Sequence, residues 1–150
     1  MISHIMQDVQ QLFVQVEAVP QLRADLEQSG FKLYVIDAPK NAKEFISLVG
    51  GIFPLNPPLS KKSIHWDAFA DSLGGGLIDC SDSKIALIIN DATAFRDANE
   101  LRLSMPEFEI AMHCLLKESK LATDEKQRLG QRDACIRVVV GIDERRDSDK

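Results

Sequence analysis

Aromatic residues are scarce, at 6% of the chain with one Trp and one Tyr, and histidine and cysteine number three each. His4, His65 and His113 hold no metal-ligand spacing to one another or to Cys80, Cys114 and Cys135, so no metal site is expected. An odd set of cysteines without ligand spacing fits a reducing compartment. The longest apolar run falls far short of the ~20 residues a membrane helix needs. The start, Met1-Ile2-Ser3-His4, has neither a basic region nor an apolar core, so no secretory leader is expected and the location reads as cytoplasmic. No Gly-Lys-Ser/Thr sequence exists, and Gly74-Gly75-Gly76 follows a helical pattern rather than a strand, which excludes a phosphate cradle. Nor is there a Gly-x-Ser-x-Gly elbow to turn His65 and Ser72 into a hydrolase. No catalytic residue, cofactor or enzyme activity is expected.

What the chain does have is the composition of an ordinary globular domain, 45% hydrophobic and 27% charged over 150 residues. That length can bury about 68–70% of its unfolded surface, enough to fold without a metal or disulfide. Its net charge of −5 argues against nucleic acid and suits a basic protein partner.

The residue pattern concentrates at Ser63–Leu77. From Trp66 to Leu73 the apolar residues Trp66, Phe69, Ala70 and Leu73 recur at i, i+3, i+4 and i+7, one buried helical stripe. The three glycines that follow are expected to stop the helix. Asp67 and Asp71 lie one turn apart beside the stripe. Asp67, in the first turn, is favoured by the helix dipole. Asp71 has no such support, and like charges at i, i+4 cost about 0.2–0.5 kcal/mol. With no Lys or Arg at i±3 or i±4 of either, the face reads as one kept for a cationic partner.

Around this helix the pattern alternates strands and helices. Phe31–Ile36, 84–90 and Cys135–Val140 read as buried strands. Residues 8–17, with Val9, Leu12, Phe13 and Val16, read as a short amphipathic helix. A second helix follows Pro20, with Leu22 and Leu26 inward and Gly30 as its stop. These first thirty residues could pack on the sheet or present a dimer surface. Asn41-Ala42-Lys43-Glu44 starts a helix striped by Phe45, Leu48, Val49 and Ile52. Phe95 to Leu101 is a short helical turn, and Ser104-Met105-Pro106-Glu107 reads as a capping box for a helix with Phe108, Ala111, Met112 and Leu115 inside. Residues 119–133 are polar and read as a broken helical end or loop. The expected fold is α/β, a small three-stranded parallel sheet packed against helices. A helical extension over 1–30 would precede the domain at 31–142, with a disordered charged tail at 143–150.

Pro54 leading into His65-Trp66-Asp67-Ala68-Phe69-Ala70-Asp71-Ser72-Leu73 resembles the barstar family of ribonuclease inhibitors. That family's hallmark is a proline loop before Asn-Trp-Asp-Ala-(Leu/Phe)-x-Asp-(Ser/Cys)-Leu. Tyr34–Asp37, Ile85–Asn90 and Cys135–Val140 resemble its strands, so the likeness spans about residues 31–141. The resemblance implies a barstar-like fold and a protein that blocks a basic nuclease by standing in for its anionic substrate. It also implies that Asp67 and Asp71 supply the charge, Gly74 and Gly75 admit the partner, and an acid on the last long helix contributes, Glu118 being nearest. Trp66 is foremost a core anchor whose edge could also reach the partner. The chain departs from the pattern at Ala70 and Gly74, where barstar has an aromatic and a threonine. It departs again in a longer loop carrying Pro57-Pro58 and Lys61-Lys62. A barstar-like adaptor that binds a non-nuclease protein is the alternative, and the oligomeric state is open.

Overall fold

The computed structural model describes residues 10–56 and 65–144. Its elements run β1 (Gln11–Gln15), a 3₁₀ turn (Val16–Ala18), α1 (Val19–Gln28), β2 (Lys32–Ile36), α2 (Ala42–Ile52) and α3 (Trp66–Asp79). Then come β3 (Lys84–Ile89), α4 (Thr93–Asp97), the hairpin strands β4 (Leu101–Arg102) and β5 (Met105–Pro106), α5 (Glu107–Arg128) and β6 (Cys135–Ile142). The architecture is α/β. Four strands lie in the order β1-β6-β3-β2, every neighbouring pair parallel.

The sheet has four strands rather than the expected three, and the extra one comes from the segment read as an N-terminal helix. Leu12 and Val16 fit helical spacing, but Leu12-Phe13-Val14 is also a short uncharged apolar run of the kind that suits a strand. Pairing with β6, from Gln11 opposite Val138 to Gln15 opposite Ile142, decides the matter. Leu12 and Val14 then turn into one core while Phe13 stays half-exposed. Partnership with a neighbouring strand outweighs weak local preference. Val9 lies outside the described residues.

Both faces of the sheet are covered, which accounts for the near-continuous apolar runs of β3 and β6. Alternate residues serve opposite sides. Ala86, Ile88 and Val139 pack under Val19 and Leu26 of α1. Ile85, Leu87, Ile89, Ile136, Val138 and Val140 face the larger core, which α2, α3, α4 and α5 supply with Phe45, Phe69, Leu73, Phe95 and Leu115. The start of α2 is as expected, the Asn41 side chain accepting from the Glu44 N–H at 2.8 Å.

Four helix boundaries differ from expectation. The short turn expected over Phe95 to Leu101 forms instead at Thr93–Asp97, and Leu101 joins the β4 strand. α3 continues through Gly74-Gly75-Gly76 to Asp79, so these glycines sit inside a helix instead of stopping it. The Ser104 capping box does not form, because Ser104 lies in the β4–β5 turn at φ 70° and the helix starts at Glu107. α5 does not break from residue 119 on but runs to Arg128, and its buried face continues with Ser119, Ala122, Thr123 and Lys126. Polar groups are buried at little cost when they are satisfied: Thr123 Oγ1 donates to the Ser119 carbonyl at 2.8 Å, whereas Ser119 Oγ finds no partner among the described residues. The Lys126 ammonium, 1% exposed, donates to the carbonyl oxygens of Cys80 (2.5 Å) and Asp82 (3.2 Å) and to Gln131 Oε1 (3.4 Å). That contact fastens the far end of α5 to the turn after α3. At the carboxyl end of β6 the Asp143 amide donates to Thr93 Oγ1 at 2.8 Å, so the chain is still anchored there. The rest of the tail read as disordered, residues 145–150, lies outside the described residues, as does Lys61-Lys62.

Candidate functional site

α3 is held by its apolar stripe. Trp66, Phe69, Leu73 and Leu77 are all buried, and the Trp66 ring meets Phe69 edge-on at 5.7 Å and Phe45 at 6.3 Å. Asp67 and Asp71 project from the flank of that stripe and are exposed. Trp66 is 7% exposed, so it supports the helix from beneath rather than facing outward. Its indole N–H is buried and has no hydrogen-bond partner among the described residues. An unmade bond of this kind typically costs about 1–3 kcal/mol.

α5 packs along α3 and brings Glu118 to the same place. A Cβ on Gly74 would fall 2.5 Å from Glu118 Oε1, so the bare glycine is what admits the carboxylate. Gly75 and Gly76 serve the loop after α2. A side chain at Gly75 would overlap the Asn56 carbonyl oxygen, and one at Gly76 would overlap that of Pro54 and the Phe53 ring. The Asn56 N–H donates to the Ser72 carbonyl at 3.0 Å, and the Asn56 side-chain amide donates to the Asp79 carboxylate. Gly74 and Gly75, expected to admit a partner, thus admit the chain's own Glu118 and Pro54 loop. Close approach of backbone is indeed what the glycines permit, but the approaching groups are internal.

Asp67, Asp71 and Glu118 form one electronegative strip along the α3–α5 seam. Partial burial raises the Glu118 carboxyl above its ordinary 4.5, Lys117 opposes, and Asp71 adds to the rise. Burial pushes the Cys114 thiol up to about 11, the Glu118 and Asp67 charges adding to it against Lys117. Two groups on α5 therefore sense the carboxylates of α3. Among the described residues no group of three or more His, Cys, Asp or Glu is arranged to hold a metal ion, and no helix is long and apolar enough to cross a membrane.

The raised Glu118 value has a consequence for stability. A carboxyl whose folded-state pKa lies above its unfolded one contributes stability that is fully present below the unfolded value. That contribution is lost as pH rises through the folded value. Glu118→Gln should therefore be no more stable than the parent near pH 4, and should gain on it as pH rises to 7. Melting temperatures of both proteins across that range check this; a constant difference would mean that Glu118 feels neither burial nor Asp71.

Helical spacing paired Asp67 with Asp71 and put Trp66 in the core, while Glu118 was offered only by the resemblance, as the nearest acid on the last long helix. Sequence reasoning missed the β4–β5 hairpin. The signal was present, because Leu101-Arg102-Leu103-Ser104-Met105 alternates apolar and polar residues as a strand does. Comparison with known protein families, curated proteins and solved structures yields no match.

Proposed function

We propose that this protein is a non-catalytic, barstar-like inhibitor of a basic ribonuclease, which presents Asp67, Asp71 and Glu118 to the nuclease's cationic cleft. The observation that carries the reading is the approach of Glu118, from a helix distant in sequence, to Gly74 and Asp71 of α3, with Asp67 and Glu118 both acting on Cys114. In the free protein Asp71 and Glu118 repel each other, with Lys117 opposing that effect at Glu118. Ribonucleases grip an anionic backbone through Lys and Arg, and rigid carboxylates can replace phosphates there through charge-assisted hydrogen bonds. Trp66 and Phe69 make the face rigid, and rigidity limits the ordering penalty of association.

The alternative, a barstar-like adaptor for a non-nuclease protein, draws on Gly74 and Gly75 being filled by the chain itself, which leaves less of the expected contact surface free. Purified barnase-type ribonucleases, assayed for RNA cleavage with increasing amounts of this protein, separate the two. The inhibitor reading expects activity to vanish near stoichiometry, with an association rate that falls steeply as salt is added while dissociation changes little. Undiminished cleavage at excess protein would overturn it. A salt-independent association rate would favour the adaptor.

A further inference from the structure

The β4–β5 hairpin breaks two rules at one position. Arg102 pairs with Met105, which leaves Leu103-Ser104 as a two-residue loop, with φ 52° at Leu103 and 70° at Ser104. Positive φ at both central residues is the turn that Asn and Gly favour, and a branched apolar side chain there is strained. Asn99, just before the hairpin, also lies at positive φ, 58°. Leu103 is 97% exposed, with Leu101 at 64% and Met105 at 49%. Scattered exposed leucines are ordinary. Three apolar residues within five, the most exposed at a strained turn, are not, and strain concentrates where structure serves a ligand.

The base of the hairpin is fixed. The Glu107 N–H, at the start of α5, donates to the Glu100 carbonyl at 2.7 Å, and Arg102 Nε donates to Glu107 Oε1 at 3.2 Å. The Ala42 N–H at the start of α2 donates to Glu100 Oε1 at 3.0 Å, and the Phe95 and Phe108 rings meet edge-on at 5.4 Å below. The result is an apolar prong on a rigid mount, the form of anchor that loses least entropy on docking. It is joined directly to α5, the helix that carries Glu118 to Asp71.

We propose that Leu103, flanked by Leu101 and Met105, is a second anchor for the basic protein that takes the acidic strip, entering an apolar pocket beside that partner's cationic cleft. The inference rests on the inhibitor reading above. Charge selects a protein over a lipid surface. Residues 96–109 carry the carboxylates Asp97, Glu100, Glu107 and Glu109 against two arginines, and in a chain of net charge −5 they oppose an anionic bilayer and suit a basic rim.

Leu103→Asn tests it, since Asn suits the turn and the variant should melt at or above the parent temperature. Against a barnase-type ribonuclease, Leu103→Asn should weaken binding about tenfold or more, and Leu103→Met, which restores an apolar tip, should recover most of it. Unchanged affinity for Leu103→Asn while Asp71→Asn binds weakly would overturn the anchor and leave the inhibitor reading standing. Weakened binding for Leu103→Asn while Asp71→Asn binds normally would support the anchor and overturn the acidic strip. A parent protein that binds none of a panel of such nucleases overturns both. Leu103-dependent flotation with vesicles of phosphatidylcholine and phosphatidylglycerol would replace the protein partner with a membrane.

Discussion

Phe45→Ala should destabilise the protein by about 3–5 kcal/mol, the usual range for emptying a phenylalanine site in a core. Phe45 is 0% exposed and stands at the junction of α2, α3 and α4, with ring centroids 6.3 Å from Trp66, 5.7 Å from Phe69 and 5.4 Å from Phe95. Those neighbours belong to regular helices packed on a sheet, so collapse into the void is limited and the cavity term stays large. Against a typical total of about 5–15 kcal/mol, this is a large share. For a chain of this size it corresponds to a fall in melting temperature of roughly 6–20 °C. Phe13→Ala, which trims a half-exposed ring on the edge strand, should cost under about 1 kcal/mol. Thermal and urea unfolding of the two variants check the contrast, and equal losses would mean that the core is not organised around Phe45. The consequence reaches the acidic strip, because Trp66 and Phe69 lean on Phe45 and set the position of Asp67 and Asp71.

The central sheet and the acidic helix were legible because their signals are local and redundant. Lys84–Ile89 is apolar, β-branched and short; Trp66 to Leu73 carries a clean stripe; Asn41 and Glu44 stand at capping distance. β1 was not legible, because a short apolar run of uncharged residues suits a helix or a strand and only β6, more than a hundred residues away in sequence, chooses between them. The second half of α5 was hidden for a different reason. Ser119, Thr123 and Lys126 keep helical spacing but are polar, and the carbonyl oxygens of Cys80 and Asp82 that make burial of Lys126 tolerable belong to another part of the chain. The glycines of α3 misled through their local meaning. Glycine weakens a helix in isolation by up to about 1 kcal/mol each, yet here three of them create the room in which Glu118 and the Pro54 loop dock. Glu118 itself was reachable only through the resemblance to barstar, since nothing in its local sequence distinguishes it from the other acids of α5.

Asp71→Asn should separate function from fold. Asp71 is exposed on α3, one turn from Asp67, and its charge adds to the field that raises Glu118. Asparagine keeps the shape and removes two repulsions, so the free domain should unfold at the same temperature or slightly higher, a gain of a few tenths of a kcal/mol. In a complex with a cationic cleft the same change deletes one partner of a desolvated charge pair and strands the other. The expected penalty is about 2–5 kcal/mol, a range that barstar-type complexes themselves helped to define, or roughly thirtyfold and more in affinity. Asp124→Asn on α5, exposed but outside the strip, should leave binding within about twofold, as surface changes away from a contact do. Calorimetric titration against a barnase-type ribonuclease, alongside thermal unfolding, reads both halves. Equal effects of the two substitutions on binding would reduce the strip to a diffuse contribution of net charge. Unfolding caused by Asp71→Asn would make Asp71 a structural residue, and the convergence of Glu118 upon it a matter of helix packing alone.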